Sequence, residues 1–157
     1  RVRMTNIAQM VNVLQAMILT DKDKMLLTPT YHAFQMYVPF QDATSLPVTI
    51  ADDVSYKLGD ASIAGISASA ARGRDGKLYL ALVNTNPTQA ADVAVAVTGK
   101  QPVSAAGRVL TATAMDAHNT FRDPQAVKPV PYVAKASGGK LTIMVPAKAV
   151  IVVALEE

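Results

Sequence analysis

The chain has 157 residues, 50% of them hydrophobic and 17% charged, with a formal net charge of +3 and no cysteine. That is enough chain for a sizeable core and too apolar for a disordered segment, and it leaves no disulfide, thiolate metal site or cysteine nucleophile. The small, evenly spread positive charge argues against nucleic acid, and no apolar run reaches the ~20 residues of a membrane-spanning helix.

The first residues, Arg1-Val2-Arg3-Met4, lack the long apolar core of a signal peptide. Entry into a hydrophobic pattern within a few residues, without an initiator methionine, predicts a piece of something longer. Thr5 can cap a helix whose apolar stripe is Ile7, Ala8, Met10 and Val11. Val13 to Leu19 is short and nearly all apolar, the pattern of a strand buried on both faces. Asp21 to Lys24 reads as a solvated turn and Met25-Leu26-Leu27 as a short extended piece. Thr28-Pro29 is a helix start, with Tyr31, Phe34 and Met36-Tyr37 on the buried side and Pro39 at the end. Helix, inner strand, loop, helix is the grammar of the last unit of a parallel α/β fold.

From about Pro47 the pattern changes to short β segments. Lys77 to Asn84 alternates cleanly, and Arg74-Asp75-Gly76 is a hairpin turn that pairs it with Ala64 to Ala70. Ala91 to Thr98, Gly107 to Ala112, Lys140 to Val145 and Ala149 to Leu155 supply further strands. The proline-spaced stretch Asp123 to Tyr132 reads as a surface connection. Regularly turned short strands predict an antiparallel β-sandwich. The fold class is therefore α/β plus all-β, with domains over 1–46 and 47–157.

Few residues suit chemistry. Gln15 interrupts the apolar run, so it is either satisfied by backbone or aimed into a pocket, because a buried amide needs partners. Asn12 suits a junction or cap. His32 has no second ligand at metal spacing and fits packing. His118 near Asp116 fits loop hydrogen bonding, since no nucleophile elbow accompanies it. The glycines form no phosphate cradle. The only glutamates are Glu156 and Glu157 at the end of the chain. A two-carboxylate hydrolytic site has no pair here, so the chain alone is not expected to catalyse a reaction.

Asn6-Ile7-Ala8-Gln9, Val11-Asn12-Val13-Leu14-Gln15-Ala16, Leu19-Thr20 and the block Leu27-Thr28-Pro29-Thr30-Tyr31-His32-Ala33-Phe34 resemble one known family. So do Met36-Tyr37, Lys77 to Pro87, Arg108 to Thr111 and Asn119-Thr120-Phe121. The resemblance is to the C-terminal part of α-L-arabinofuranosidases of glycoside hydrolase family 51, and it covers nearly the whole chain. It implies the last β/α unit of a (β/α)8 TIM barrel, with Val13 to Leu19 as eighth strand and Thr30 to Tyr37 as eighth helix, followed by a jelly-roll-like β-sandwich. It implies a retaining hydrolase of terminal arabinofuranosyl groups whose two catalytic Glu lie elsewhere, and it makes Gln15 the substrate-binding residue of this chain. The partners implied are the N-terminal barrel portion of the same enzyme, an arabinose-containing oligo- or polysaccharide and further copies in a homo-oligomer. No cofactor, metal, nucleic acid or membrane is implied, and the compartment stays open.

Two other readings stand beside it. One is a free-standing sandwich that binds carbohydrate, against which the absence of Trp and the few sandwich aromatics (Tyr56, Tyr79, Phe121, Tyr132) argue. The other is a structural domain that braces a barrel, which is compatible with the enzyme reading.

Overall fold

The computed structural model describes residues 6–51 and 55–157. Over these residues the chain is an antiparallel β-protein carrying one short α-helix. Ile18–Asp21 (β1) and Lys24–Leu27 (β2) pair as a hairpin whose turn places Lys22 in the left-handed region. Helix α1, Pro29–Met36, follows at once. Thr28 caps it, accepting from the Tyr31 N–H at 3.4 Å, and Pro29 fits the first turn because its missing N–H would have had no intrahelical partner. A 3-10 turn, Val38–Phe40, ends the unit.

Thr44–Leu46 (β3) then joins the main sheet. Ser55–Leu58 (β4) and Ala61–Ala64 (β5) form a separate ribbon, and Ile66–Arg72 (β6) and Leu78–Asn84 (β7) form the long hairpin expected around Arg74-Asp75-Gly76. Ala91–Val95 (β8), Ser104–Leu110 (β9), Val130–Lys135 (β10), Leu141–Val145 (β11) and Ala149–Glu156 (β12) complete the order. The six-stranded sheet runs β10-β9-β12-β7-β6-β3, and β11-β8 is a two-stranded sheet of its own.

Period-2 alternation decides where the core sits. Along β12, Ala149, Ile151 and Val153 face one way, with Leu80 and Leu82 of β7 and Val109 of β9 beside them. Leu141, Ile143 and Val145 of β11 close over this face and are almost wholly buried. Each such side chain contributes about 1.5–3 kcal/mol on burial. The opposite face offers Ala81, Val152 and Leu110, and here α1 docks through Met36, with Val127 from the loop before β10. Gly107 pairs with Val153. A Cβ there would strike the Val152 carbonyl and lie 2.7 Å from the Val153 Cα, so β9 and β12 approach this closely only without a side chain.

The structure corrects the sequence reading in four places. The inner strand expected over Val13 to Leu19 is not formed: only Ile18 and Leu19 are strand, and Val11 makes an isolated parallel bridge to Ile18. A strand buried on both faces needs a ladder on each edge and a layer over each face. The described residues supply neither around this run, so the chain turns and pairs with itself. The barrel β/α unit is therefore absent from this chain. The helix expected from Thr5 falls partly outside the described residues, and Asn6 to Val11 is not helical. Phe34, expected on the buried side of α1, is 44% exposed. The stretch read as a connection up to Tyr132 already enters β10 at Val130. β10 is an edge strand, where Pro131 needs no ladder N–H on its free side.

Candidate functional site

The candidate site is the turn that carries Gln15, where three amide side chains recur at every third position. Gln9, Asn12 and Gln15 have φ of 55°, 54° and 64°. Non-glycine residues seldom occupy that region, and Asn is the one that tolerates it best. The turn is held from both sides. Asn12 Nδ2 donates to Thr20 Oγ1 at 2.7 Å, and the Thr20 N–H donates to Asn12 Oδ1 at 2.7 Å. Its own N–H donates to the Ile18 carbonyl at 3.1 Å, and the Ile18 N–H to the Met10 carbonyl at 3.0 Å. Within the turn, the Ala16 N–H donates to the Val13 carbonyl at 3.0 Å, and Ala16 itself is buried.

Thr28 ties the far side of this turn to the helix. Its hydroxyl donates to the Ala16 carbonyl at 2.7 Å, and its N–H donates to the Met17 carbonyl at 3.0 Å. One residue thus caps α1 and holds two successive carbonyls beside Gln15. Asn119 connects the same unit to the sandwich. Its buried amide donates to the Leu27 carbonyl at 2.7 Å and to the Val127 carbonyl at 3.0 Å, and accepts from the Val127 N–H at 2.7 Å. The sequence reading expected loop hydrogen bonding at the neighbouring His118 and gave no role to Asn119, whose partner lies 92 positions away.

Gln15 itself is exposed and its amide makes no hydrogen bond to the described residues. His32 stands on α1 with its ring edge-on to Tyr31. Burial pushes its pKa below 6.5 and the nearby Arg108 charge adds to that, while Gln35 opposes. Its Nδ1 is buried without a partner among the described residues. His118 Nδ1 donates to the Asp116 carbonyl at 2.8 Å, a loop contact and not an acid/base pair. Glu156 accepts from the Ser104 hydroxyl at 2.7 Å and Glu157 pairs with Lys100, so both serve the end of β12.

The sandwich holds a groove of 860 Å³ between β8 and the inner face of β6 and β7, lined largely by small apolar side chains such as Ala68, Ala70, Val93 and Val95. It offers no carboxylate pair, and the aromatic residue in its lining is a single tyrosine, Tyr79. Tyr79 donates its hydroxyl to Asp75 at 2.7 Å and Tyr132 to the Met144 carbonyl at 3.1 Å, so these rings are engaged in structure. Among the described residues no group of three His, Asp or Glu side chains could hold a metal ion.

The model of the α-L-arabinofuranosidase C-terminal domain matches residues 1–149. The chain belongs to that family. It is the C-terminal portion of a family 51 glycoside hydrolase. The arabinofuranosidase domain is 46% identical to the family 51 arabinofuranosidase of Xanthomonas axonopodis pv. citri, with a TM-score of 0.93, over 99% of this chain and 32% of that one. It is 36% identical to an intracellular exo-α-L-arabinofuranosidase of Bacteroides ovatus, over 99% of this chain and 30% of the relative. The α-L-arabinofuranosidase of Thermotoga maritima, solved as an arabinose complex, shares the fold with a TM-score of 0.79 at 24% identity, over 96% of this chain and 33% of that one. The domain thus spans about a third of the length of the relatives it matches.

Proposed function

We propose that this domain is the non-catalytic C-terminal part of a retaining α-L-arabinofuranosidase that removes terminal non-reducing α-L-arabinofuranosyl groups from arabinan- and arabinoxylan-type substrates. The observation that carries the reading is likeness over 99% of the chain, at 46% identity, to a family 51 arabinofuranosidase. Retaining hydrolysis needs two carboxyl groups about 5 Å apart, one as nucleophile and one as acid/base. With Glu156 and Glu157 committed to the end of β12, both catalytic Glu come from the N-terminal barrel portion of the enzyme, the partner of this domain. In this reading the unit before β3 is turned toward that barrel, and the sandwich, which the chain already joins at Thr44 rather than after residue 46, braces it. Homo-oligomeric assembly of the whole enzyme belongs to the same reading.

Gln15 is the substrate contact in this reading. Its amide, unpaired among the described residues, can both donate to and accept from sugar hydroxyls. From a fixed turn it would hold the ring so that the anomeric carbon stands in line with the nucleophile. Support comes from its exposure, its uncommitted amide and the bonds that fix its turn. The expected result of Gln15→Ala in the assembled enzyme is a fall in kcat/KM of about tenfold, the worth of one or two neutral hydrogen bonds, with the unfolding midpoint unchanged. A wild-type kcat/KM would return Gln15 to the status of a surface turn residue.

A further inference from the structure

We propose that Asn12 is a positioning residue for this site: its side chain clasps Thr20 and so fixes the turn that presents Gln15. The inference rests on the reading of Gln15 as the sugar contact.

The geometry is specific. One amide spans both polar groups of Thr20, accepting from its N–H and donating to its hydroxyl, each at 2.7 Å. Asn12 precedes the Gln15 turn and Thr20 lies in β1, after it, so the two bonds close the loop at its mouth. The backbone bonds of Asn12 and Ile18 lie just inside the clasp. Gln15 is thus three residues from one jaw and five from the other. Its left-handed backbone is an unfavourable conformation for a glutamine and persists only where the surroundings over-determine it. Thr28 holds the Ala16 and Met17 carbonyls behind Gln15. The Asn12 clasp holds the chain ahead of it, and it is the only side-chain bond among the described residues that does so.

Asn12 also sits in the left-handed region, which an asparagine enters at little cost. Among the described residues its exposed amide bonds to Thr20 alone, through both its oxygen and its nitrogen. An aspartate could keep both bonds, since the Thr20 hydroxyl can donate as readily as accept. An alanine keeps neither.

The test is a double-mutant cycle in the enzyme assembled from this domain and its barrel portion, assayed on an aryl α-L-arabinofuranoside. Asn12→Ala is expected to lower kcat/KM about tenfold, and Asn12→Asp to remain within about twofold of wild type. Asn12→Ala in the Gln15→Ala background is expected to lower it no further, because a residue that acts only through another is silent once that other is gone. Losses that multiply would overturn the positioning role while leaving Gln15 as a contact. If Gln15→Ala alone is wild-type, the site reading fails and the positioning role fails with it. Should Asn12→Ala not assemble, Thr20→Val, which deletes only the hydroxyl bond, replaces it in the same cycle under the same criteria.

Discussion

Asn119 carries more of the structure than any other polar residue of the loop it sits in. It is 4% exposed, and its three bonds satisfy the Leu27 carbonyl and both backbone groups of Val127. Removing such a side chain leaves buried donors and acceptors unpaired, each at about 1–3 kcal/mol. Asn119→Ala is therefore expected to destabilise the domain by about 2–4 kcal/mol, read as a shift in the urea midpoint at constant slope. Asn119→Asp retains the acceptor for the Val127 N–H but places a carboxylate against two carbonyl oxygens, so it is expected to be no better than alanine. Asn84 is a second buried amide, and it bonds to the Gln89, Val145 and Pro146 carbonyls inside the sandwich. The contrast between the two is positional: Asn84 fastens the sandwich to itself, whereas Asn119 fastens β2 to the sandwich.

The β-elements were the legible part of the sequence. β6, β7, β8, β11 and β12 announce themselves by their apolar and β-branched runs and by bounding turn residues, signals carried within each strand although β8 pairs with the distant β11 and β12 with the distant β7. α1 was legible from Thr28-Pro29, which works locally as cap and first turn. What failed depended on context that no short window contains. Val13 to Leu19 has the composition of an inner strand but no flanking ladder, and Phe34 lies on helix α1 whose buried side is set by where Met36 meets the sheet. β3 escaped notice because three residues carry no period, and Val130 because Pro131 argues against strand unless the edge position is known. The Asn12–Thr20 and Asn119–Leu27 bonds are likewise invisible to spacing, since their partners are defined only by the fold. The docking of α1 itself makes a prediction in pH. His32 has a folded pKa below 6.5, chiefly through burial, so between those values the unfolded chain binds more protons than the folded one. Stability is then fully present above about pH 6.5 and is lost as pH falls through the folded pKa. The melting temperature is expected to drop as pH falls below about 6.5, and His32→Gln, which cannot titrate, should flatten that part of the profile. An unchanged slope in the variant would place the acid sensitivity elsewhere.

At the scale of the whole molecule, the apolar surface is distributed unevenly with respect to what it needs. Met10, Val11, Leu14, Met25, Phe34 and Val38 are all exposed in the unit before the sandwich, Leu14 to 91%. The contacts of that unit with the sandwich are made by other residues, with Met36 on Ala81, Leu110 and Val152 and with Asn119 on Leu27. Exposed apolar side chains, where they adjoin, mark an interaction surface or an aggregation liability. The arabinofuranosidase reading names its cover as the barrel portion. The domain studied without that portion is then expected to self-associate as its concentration rises, and Leu14→Glu with Phe34→Glu should suppress the association, both read by sedimentation velocity. The same pair should also prevent assembly with the barrel portion. The ribbon pair Leu58→Glu with Ile63→Glu is the control, because those side chains are equally exposed but lie on the sandwich side of the chain. If the ribbon pair disperses the domain and the first pair does not, the self-associating surface is the β4–β5 ribbon, and the residues around Gln15 do not face the barrel.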